Sequence, residues 1–472
     1  MRKFGIIGMS LVIGLVFART LTVGVRNASA SSPVVNPDLQ VSPAADIDPH
    51  DEPSVAVSPV NDQIIVSASK VILGGAANQT RGVSRVEYFF SSDGGRTWGS
   101  NLISLETPQK TFDFSSDPTV GVDTNGVFYL CVLMGSSSSN GTFDGGVYAY
   151  RSTDHGQTFG AAIPVAFDVG AVPQDAKLYD KPFLTVDTVP ASAFKDSVYV
   201  CWVGNYPQGA SIEPGGGTRI AHLRPGDTGF SAEQLISHPG NMEGPQIAIG
   251  PNGEVYGTWE GIGVPKTLLF DASTDGGVTF DTDIGQPNQP TAHDARLRAF
   301  VGSLSQPDPG TVVPGITRLN TWPTIDVDRS NGPHRGTIYV AWAEALNPPS
   351  NSDICMFVIP PPNGSLPQPG NLIRVSPSGS NQFFPQLSVD SQTGTIYLAF
   401  CDQAQAGGSS YNTFITSSTD GGATFSPNMK VSSQSSNPLV QAGIIGANSE
   451  GIGIGDYIGF TFVNGRAHAV WT

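Results

Sequence analysis

The chain has 472 residues, only 14% of them charged, and a formal net charge of −16 at pH 7. Glycine and proline are abundant, at 56 and 37 residues, which is typical of many short strands joined by many turns. The acidic balance argues against nucleic acid and anionic membranes as partners. The length allows several domains or one repetitive all-β domain with a large core.

The first 30 residues are typical of an export signal. Basic residues at positions 2 and 3 precede an apolar run over residues 4–18, and a polar stretch then ends in Ala-Ser-Ala at 28–30. An uncleaved membrane anchor is the alternative, but the run is short for a span and Arg19 interrupts it. Cleavage would leave 20 basic and 40 acidic residues, a net charge of −20. We predict a secreted, cell-surface or periplasmic protein without membrane insertion after cleavage.

After the signal, a pattern of the form x-Pro-x-apolar-x-apolar recurs six times, and a proline-free seventh copy follows. Its alternation fits half-buried strands, and its proline fits the first position of a strand, where no ladder hydrogen bond is lost. The spacing of mostly about 62 to 72 residues is the length of a four-stranded propeller blade. We predict one all-β propeller domain over residues 31–472, with four-stranded antiparallel blades; seven blades are favoured and six are possible. The blades are predicted to start near residues 51, 116, 180, 243, 321, 383 and 455.

A second repeat, Ser-x-Asp-x-Gly-x-Thr-aromatic, occurs four times, each time after a short apolar run. Asp accepts hydrogen bonds from nearby backbone N–H groups, and glycine supplies positive φ, so each copy predicts a tight turn between two strands. Double gaps between copies predict that the third and fifth blades lack a full turn of this type. The copies span residues 91–98, 152–159, 273–280 and 418–425, with Asp93, Asp154, Asp275 and Asp420 as structural aspartates.

Ring closure has two alternatives in the sequence. Residues 36–42 resemble the predicted outer strands at 371–376 and 428–432, so this segment could complete the last blade from the N-terminal side. Either the last blade is short of a strand, or the ring has six full blades and a looser seventh.

Four cysteines in an exported chain invite a disulfide interpretation. However, Cys131, Cys201 and Cys401 fall in apolar, strand-like runs, and nothing in the sequence brings matched pairs together. Buried free thiols are therefore predicted. Cys-x-x-Cys spacing typical of metal sites is absent.

Propeller geometry places the functional candidates around the mouth of the central channel, where first strands begin and second strands end. Acidic side chains dominate there, and they could bind Ca²⁺ or act as general acids in glycoside hydrolysis. Alternatively, they accept hydrogen bonds from loop backbone and fix the entry of each blade. No cofactor is required by the sequence. The candidates are His50, Asp51, Glu52, Asp117, Asp180, Lys181, Glu243, Asp456 and Tyr457 at the entries, and Lys70, Asn205, Tyr206, Glu260, Glu344 and Asp402 at the exits.

The four octapeptides resemble the Asp-box, or bacterial neuraminidase repeat, of sialidase-like β-propellers. The resemblance covers nearly the whole mature chain and implies that the octapeptides are structural turns on the face away from the active site. It also implies an exo-sialidase-type glycoside hydrolase, or a protein that binds a glycan or polysaccharide. The family uses a Tyr nucleophile backed by Glu and an Asp acid/base, for which Asp51, Glu243 and Tyr457 are the candidates here.

A sialidase also needs arginines, because its substrate carries a carboxylate. The aromatic-Arg-Ile-Pro stretch of the family is not found in the sequence. The most similar segment is Thr-Arg-Ile-Ala at residues 218–221, in the third blade. The alternative function is a non-catalytic propeller that binds a protein, polysaccharide or cation at its acidic mouth. The substrate-binding candidates are Arg296, Arg298 and Arg318 in the long connection over residues 281–321, with Asp117, Asp180 and Glu260.

Overall fold

The structure is a computed structural model. It describes residues 35–43, 48–74, 83–137, 143–170, 176–206, 215–262, 266–280, 295–299, 319–345, 351–361, 372–377, 379–438 and 454–472. One unit, Pro37–Thr472, contains all the strands. The other unit, Met1–Asn36, is described only at its last two residues, so the predicted signal lies outside the described residues. No helix in the described part of the chain is long and apolar enough to cross a membrane.

The described residues form six four-stranded antiparallel sheets and one two-stranded sheet, in which strands that follow one another along the chain are paired. The first three blades contain β1 His50–Val57, β2 Ile65–Leu73, β3 Val83–Ser91 and β4 Gly99–Leu102; β5 Phe114–Val122, β6 Phe128–Ser137, β7 Phe143–Ser152 and β8 Ile163–Asp168; and β9 Leu178–Val186, β10 Val198–Tyr206, β11 Gly215–Leu223 and β12 Gln234–Leu235. The next three contain β13 Met242–Ile249, β14 Val255–Gly261, β15 Thr267–Ser273 and β16 Ala295–Ala299; β17 Thr324–Val327, β18 Ile338–Glu344, β19 Asp353–Ile359 and β20 Ile373–Arg374; and β21 Gln382–Val389, β22 Ile396–Asp402, β23 Asn412–Ser418 and β24 Met429–Lys430. The two-stranded sheet contains β25 Gly459–Val463 and β26 Arg466–Val470.

The first strand of each sheet is the innermost one, and these strands form a ring. Strands β1, β5, β9, β13, β17, β21 and β25 contact one another in that order, and β25 also contacts β1. The fold is thus an all-β propeller with six four-stranded blades, as in the six-blade alternative. The seventh repeat, predicted as a further four-stranded blade, forms only the β25–β26 sheet between the sixth and first blades, because the described residues give it no third or fourth strand.

Both ends of the propeller unit contact the sixth blade. In the predicted closing segment, residues 36–42, no strand is assigned. The Asp38 carboxylate instead accepts a hydrogen bond of 3.1 Å from the Ser433 N–H, just after β24. At the other end, the carbonyl of Thr472 accepts hydrogen bonds of 2.7 Å from the hydroxyls of Tyr411 and Ser436.

The hydrophobic core is divided into seven clusters, one at each contact between neighbouring sheets. The smallest cluster joins the first blade to the β25–β26 sheet and has only Val55, Val57 and Ile65 as buried members.

All four cysteines are buried and free, which confirms the prediction from their apolar surroundings. Burial raises the pKa of the Cys131 and Cys201 thiols, so both stay protonated at neutral pH.

The x-Pro pattern produces a β-bulge at the start of the innermost strands. Pairing between the first and second strands shifts register around the proline in the first, second, third, fourth and sixth blades. In the same five blades the residue before the proline has a positive φ, which costs a non-glycine residue about 1–3 kcal/mol. A bulge changes the direction of the side chain it carries. The five residues are Glu52 (54°), Asp117 (50°), Lys181 (44°), Gly244 (55°) and Phe384 (51°).

The residue after the proline connects neighbouring blades. The Thr119 hydroxyl accepts a hydrogen bond of 3.1 Å from the Leu184 N–H of the next blade. The first and second blades are joined in the same way by Ser54, and the fifth and sixth by Thr324, at 3.0 and 3.2 Å. Each donor lies two residues after the proline of its own blade. Because these innermost strands form no ladder with one another, the hydroxyl provides an acceptor for a backbone N–H inside the ring.

The four octapeptides adopt one hydrogen-bond pattern and join the third and fourth strands of the first, second, fourth and sixth blades. In each, the Ser hydroxyl donates to one Asp oxygen at 2.7–2.8 Å and accepts from a glycine N–H at 2.9 Å. The Thr N–H donates to the same Asp oxygen and the Thr hydroxyl to the other. These bonds, led by the one from Thr97, lower the pKa of Asp93 to about 2. The predicted turn geometry is thus present at all four copies.

Replacing Thr119 with Val tests the bonds between blades. Thr119→Val keeps the shape of the side chain but leaves the buried Leu184 N–H without an acceptor, so we expect the free energy of unfolding to fall by about 1–3 kcal/mol. Thr218→Val is the matched control, since Thr218 is fully buried and its hydroxyl has no hydrogen-bond partner among the described residues. Urea unfolding of both variants checks this. An equal loss in the two would contradict the role assigned to Thr119.

Candidate functional site

Seven buried polar side chains gather where the innermost strands begin. They come from the first three blades and from the segment before β25. Each is less than a tenth exposed, although six of the seven carry an ionisable acid or amine that water would normally solvate. This set, called the mouth cluster below, consists of Asp51, Glu52, Lys70, Asp117, Lys181, Asp456 and Tyr457.

Lys70 is held by two carboxylates within its own blade. Its ammonium lies 3.3 Å from an Asp51 oxygen and 3.1 Å from a Glu52 oxygen. Asp51 is directly opposite Lys70 in the β1–β2 register. Burial by itself would lower the pKa of Lys70, but Glu52, Asp51 and then Asp117 more than offset it, so the pKa is raised. Lys70 is therefore a fixed positive charge.

The two carboxyls beside Lys70 hold protons unusually strongly. Burial raises the pKa of Asp51 to about 6 against the attraction of Lys70, and Asp456 and Asp117 raise it further. Burial also raises the pKa of Glu52 well above its usual range. The mouth cluster contains four carboxyls and two lysines. Full ionisation would thus bury an excess of negative charge, and a proton kept near neutral pH reduces it.

Lys181 has an aromatic environment instead of a carboxylate partner. Its ammonium lies 3.4 Å from the centre of the Tyr457 ring and 5.9 Å from that of the Trp322 ring. Burial lowers the pKa of Lys181, although the charges of Asp117, Glu52 and others oppose the shift. The Tyr457 pKa is raised well above 10, first by burial and then by the carboxyls around it. The Tyr457 hydroxyl is buried and has no hydrogen-bond partner in the described part of the chain.

A cavity of about 120 Å³ lies on the axis of the ring, and all seven innermost strands or their entries contribute to its wall. Lys181, Gln246, Gln386 and Tyr457 also line a narrower adjoining cavity that reaches Trp322 and Asp456. Gly244 lines this narrower cavity. A larger residue does not fit at this position, because its Cβ would lie 2.2 Å from the Trp322 ring. The mouth cluster is therefore connected to an internal space that has amide, amine and phenol groups in its wall.

Of the residues predicted to form the site, the structure brings Asp51, Asp117 and Tyr457 together in the mouth cluster. Asp180 is exposed beside it and accepts a hydrogen bond of 2.8 Å from the Lys181 N–H. Glu243 and Glu260 face each other across β13 and β14 in the fourth blade. There, Glu260 is fully buried and ion-paired to Lys266 at 2.7 Å.

The arginine candidates are not part of the described mouth. Arg296 and Arg298 lie on β16, the outermost strand of the fourth blade, where they are opposite Leu269 and Leu268. Their side chains and the whole of Arg318 lie outside the described residues. No arginine is among the described residues that line the two axial cavities.

The catalytic and substrate-binding residues predicted from the sequence do not include Glu52, Lys70, Lys181 and Asp456, although all four are among the wider candidates on this face. A usable signal was present for Glu52 and Lys181, because both directly precede a repeated proline. Among the described residues, no group of three or more His, Cys, Asp and Glu side chains is arranged to hold a metal ion. Calcium binding remains a prediction.

No protein-family model and no curated protein matches the chain. Solved structures do match. They include an intramolecular trans-sialidase from leech, with 11% identity, coverage of 78% of this chain and 67% of that one, and a TM-score of 0.48. The intramolecular trans-sialidase from Ruminococcus gnavus has 12% identity, coverage of 74% and 89%, and a TM-score of 0.46. An α-L-arabinanase from Penicillium chrysogenum has 16% identity, coverage of 75% and 88%, and a TM-score of 0.44. The chain resembles sialidase-like propellers. At these identities the likeness concerns the fold alone.

Removing the Asp51 carboxyl should change how stability depends on pH. The pKa of Asp51 is about 6 in the folded chain, against the usual 3.8. Protonated Asp51 therefore contributes fully to the free energy of unfolding below pH 3.8, and this contribution is lost as pH rises through about 6. Asn cannot ionise. Between about pH 5 and about pH 8, the free energy of unfolding should therefore fall less in Asp51→Asn than in the unmodified chain.

Urea unfolding at the two pH values measures the difference. Asp113→Asn, which removes an exposed carboxylate, is the control and should behave as the unmodified chain does. If Asp51→Asn loses as much stability as the unmodified chain, Asp51 does not hold its proton in the folded state.

Proposed function

We propose that the chain acts on glycans at the mouth cluster, by acid–base cleavage of a glycosidic bond. The observation that supports this most directly is the pair Asp51 and Glu52, whose pKa values are raised by burial beside two further carboxyls, Asp117 and Asp456. Glycoside hydrolysis needs one carboxyl that is protonated near neutral pH and a second that is ionised. The mouth cluster contains two carboxyls whose pKa values are raised and two further carboxyls.

The roles follow from these environments. Asp51 and Glu52 together donate the proton to the leaving oxygen. Asp117 or Asp456 acts as the carboxylate that activates water or attacks the sugar. The Tyr457 hydroxyl, which has no partner among the described residues, donates a hydrogen bond to the substrate.

Backbone strain supports a functional role for these side chains. The position before the proline could be glycine in every blade, as it is at Gly244, and glycine would adopt the positive φ without cost. Glu52, Asp117 and Lys181 instead adopt it with full side chains, at about 1–3 kcal/mol each. Strain of this kind is found most often at functional sites, and here three strained residues are ionisable.

The narrower function, an exo-sialidase, has less support from this site. The described mouth has lysines but no arginine for a sugar carboxylate, and burial together with nearby carboxyls raises the pKa of Tyr457, which opposes its ionisation to a nucleophile. The excess of carboxyls favours a neutral sugar at the reacting position. We also propose that the protein is exported, as residues 1–30 predict, and that it meets its glycan substrate outside the cell.

The test is turnover of a panel of neutral aryl glycosides and one aryl sialoside by the full chain. We expect cleavage of a neutral glycoside with a rate that falls as pH rises above about 6, where Asp51 loses its proton. The double variant Asp51→Asn, Glu52→Gln should lower kcat about 10²–10⁴-fold, whereas Asp113→Asn should not.

Other outcomes distinguish the alternatives. Cleavage of only the sialoside, abolished by Tyr457→Phe, would replace this proposal with the sialidase one. Glycan binding without any turnover would leave a non-catalytic propeller and would contradict the assigned proton donor.

A further inference from the structure

Two lysines are buried in the mouth cluster, and their surroundings differ. Lys70 is 6% exposed and has two carboxylate oxygens within 3.3 Å of its nitrogen. Lys181 is 3% exposed, and no carboxylate of the described residues lies within 4.0 Å of its nitrogen. Its nitrogen lies 3.4 Å from the centre of the Tyr457 ring. The first amine is neutralised by ion pairs, whereas the second is desolvated without one.

The protonation of Lys181 depends on two opposing effects. Contact with an aromatic face favours the ammonium form of the lysine. Full burial of a lysine can lower its pKa by about 3–5 units. The carboxylates of Asp117, Glu52, Asp456 and Asp180 act in the same direction as the ring, but burial remains the largest effect and the pKa is lowered. Lys181 therefore has a larger fraction of neutral amine than an exposed lysine.

The two axial cavities lie next to the Lys181 side chain. Lys181 lines both of them, and the larger has a volume of about 120 Å³. Tyr457 and two carboxamides, Gln246 and Gln386, line the same two spaces. A space of this size with several hydrogen-bonding groups accommodates a polar molecule of two or three carbon atoms.

We propose that Lys181 is a carbonyl-capturing residue, whose Nζ forms an imine with a small hydroxyaldehyde bound in the axial cavity. The nitrogen lone pair of the neutral amine attacks the carbonyl carbon and forms the C–N bond. The former carbonyl oxygen then takes up two protons, in balance the two that the amine loses, and leaves as water. Asp117, a carboxyl of the mouth cluster whose charge acts on Lys181, carries these protons. No oxidant or reductant is needed.

This inference does not depend on glycan cleavage. Imine formation uses the amine and the cavity, whereas the proposed hydrolysis uses the Asp51–Glu52 proton. The two can therefore fail separately.

Reductive trapping tests the proposal on the full chain. The folded protein is incubated near neutral pH with glycolaldehyde and sodium cyanoborohydride, which reduces an imine to a stable secondary amine, and modified lysines are located by peptide mass spectrometry. We expect Lys181 to be modified severalfold faster than Lys195, whose side chain is 40% exposed, even though Lys181 is buried. Lys70, the matched buried lysine, should remain essentially unmodified.

Two controls make the result decisive. In urea, Lys181, Lys70 and Lys195 should react at similar rates, because the preference comes from the folded surroundings. In Lys181→Met, the preferred modification should disappear while Lys195 reacts as before; the map of the unmodified chain is informative even if this variant does not fold. Modification of Lys181 no faster than that of Lys70, or slower than that of Lys195, would overturn the proposal, as would a preference that persists in urea.

Discussion

The structure depends on one hydrogen bond that recurs between neighbouring innermost strands, from a backbone N–H to the hydroxyl that follows a proline. Strands of adjacent blades do not form ladders with each other, so their inward N–H groups need another acceptor. Thr119 provides it for Leu184, and Ser54 and Thr324 provide it at two other contacts. In the first two blades the proline just before the hydroxyl also belongs to the bulge that changes the direction of the preceding side chain. In these blades one x-Pro-hydroxyl unit therefore both joins neighbouring blades and sets the direction of a side chain at the mouth.

This arrangement brings ionisable groups from separate blades into one buried space. Glu52, Asp117 and Lys181 occupy the same position in three successive blades, so they meet although about 65 residues separate each from the next. Charges that meet in this way cannot all be solvated. Lys70 lies beside two of the carboxyls, Asp51 and Glu52, and the raised pKa values of these two carboxyls reduce the buried negative charge further. The chemistry of the mouth is thus a consequence of where the ring places charges.

Much of the architecture could be predicted because each element repeats. The spacing of the proline pattern and the double gaps between octapeptides located six blades and the two that lack the standard turn. The seventh repeat could not be judged in the same way, since its two strands resemble the inner half of any blade and the sequence does not show which segments pair outside them. Arg296 and Arg298 were expected in a connection, yet they lie on β16, because an outer strand has few core contacts and so a weak hydrophobic pattern. The contrast between Lys70 and Lys181 depends on partners from other strands and other blades, which no local pattern contains.

The small cluster of Val55, Val57 and Ile65 has a mechanical consequence. Buried apolar area sets most of the strength of a contact between sheets, so the junction between the first blade and the β25–β26 sheet is the weakest joint of the ring. Gly459 lies against the Pro53 carbonyl at this joint, where a Cβ would be 2.9 Å from the oxygen, and Tyr457 enters the mouth from the same chain segment. Tyr457 is therefore carried by the joint with the smallest buried apolar cluster, where close backbone contact takes the place of side-chain packing.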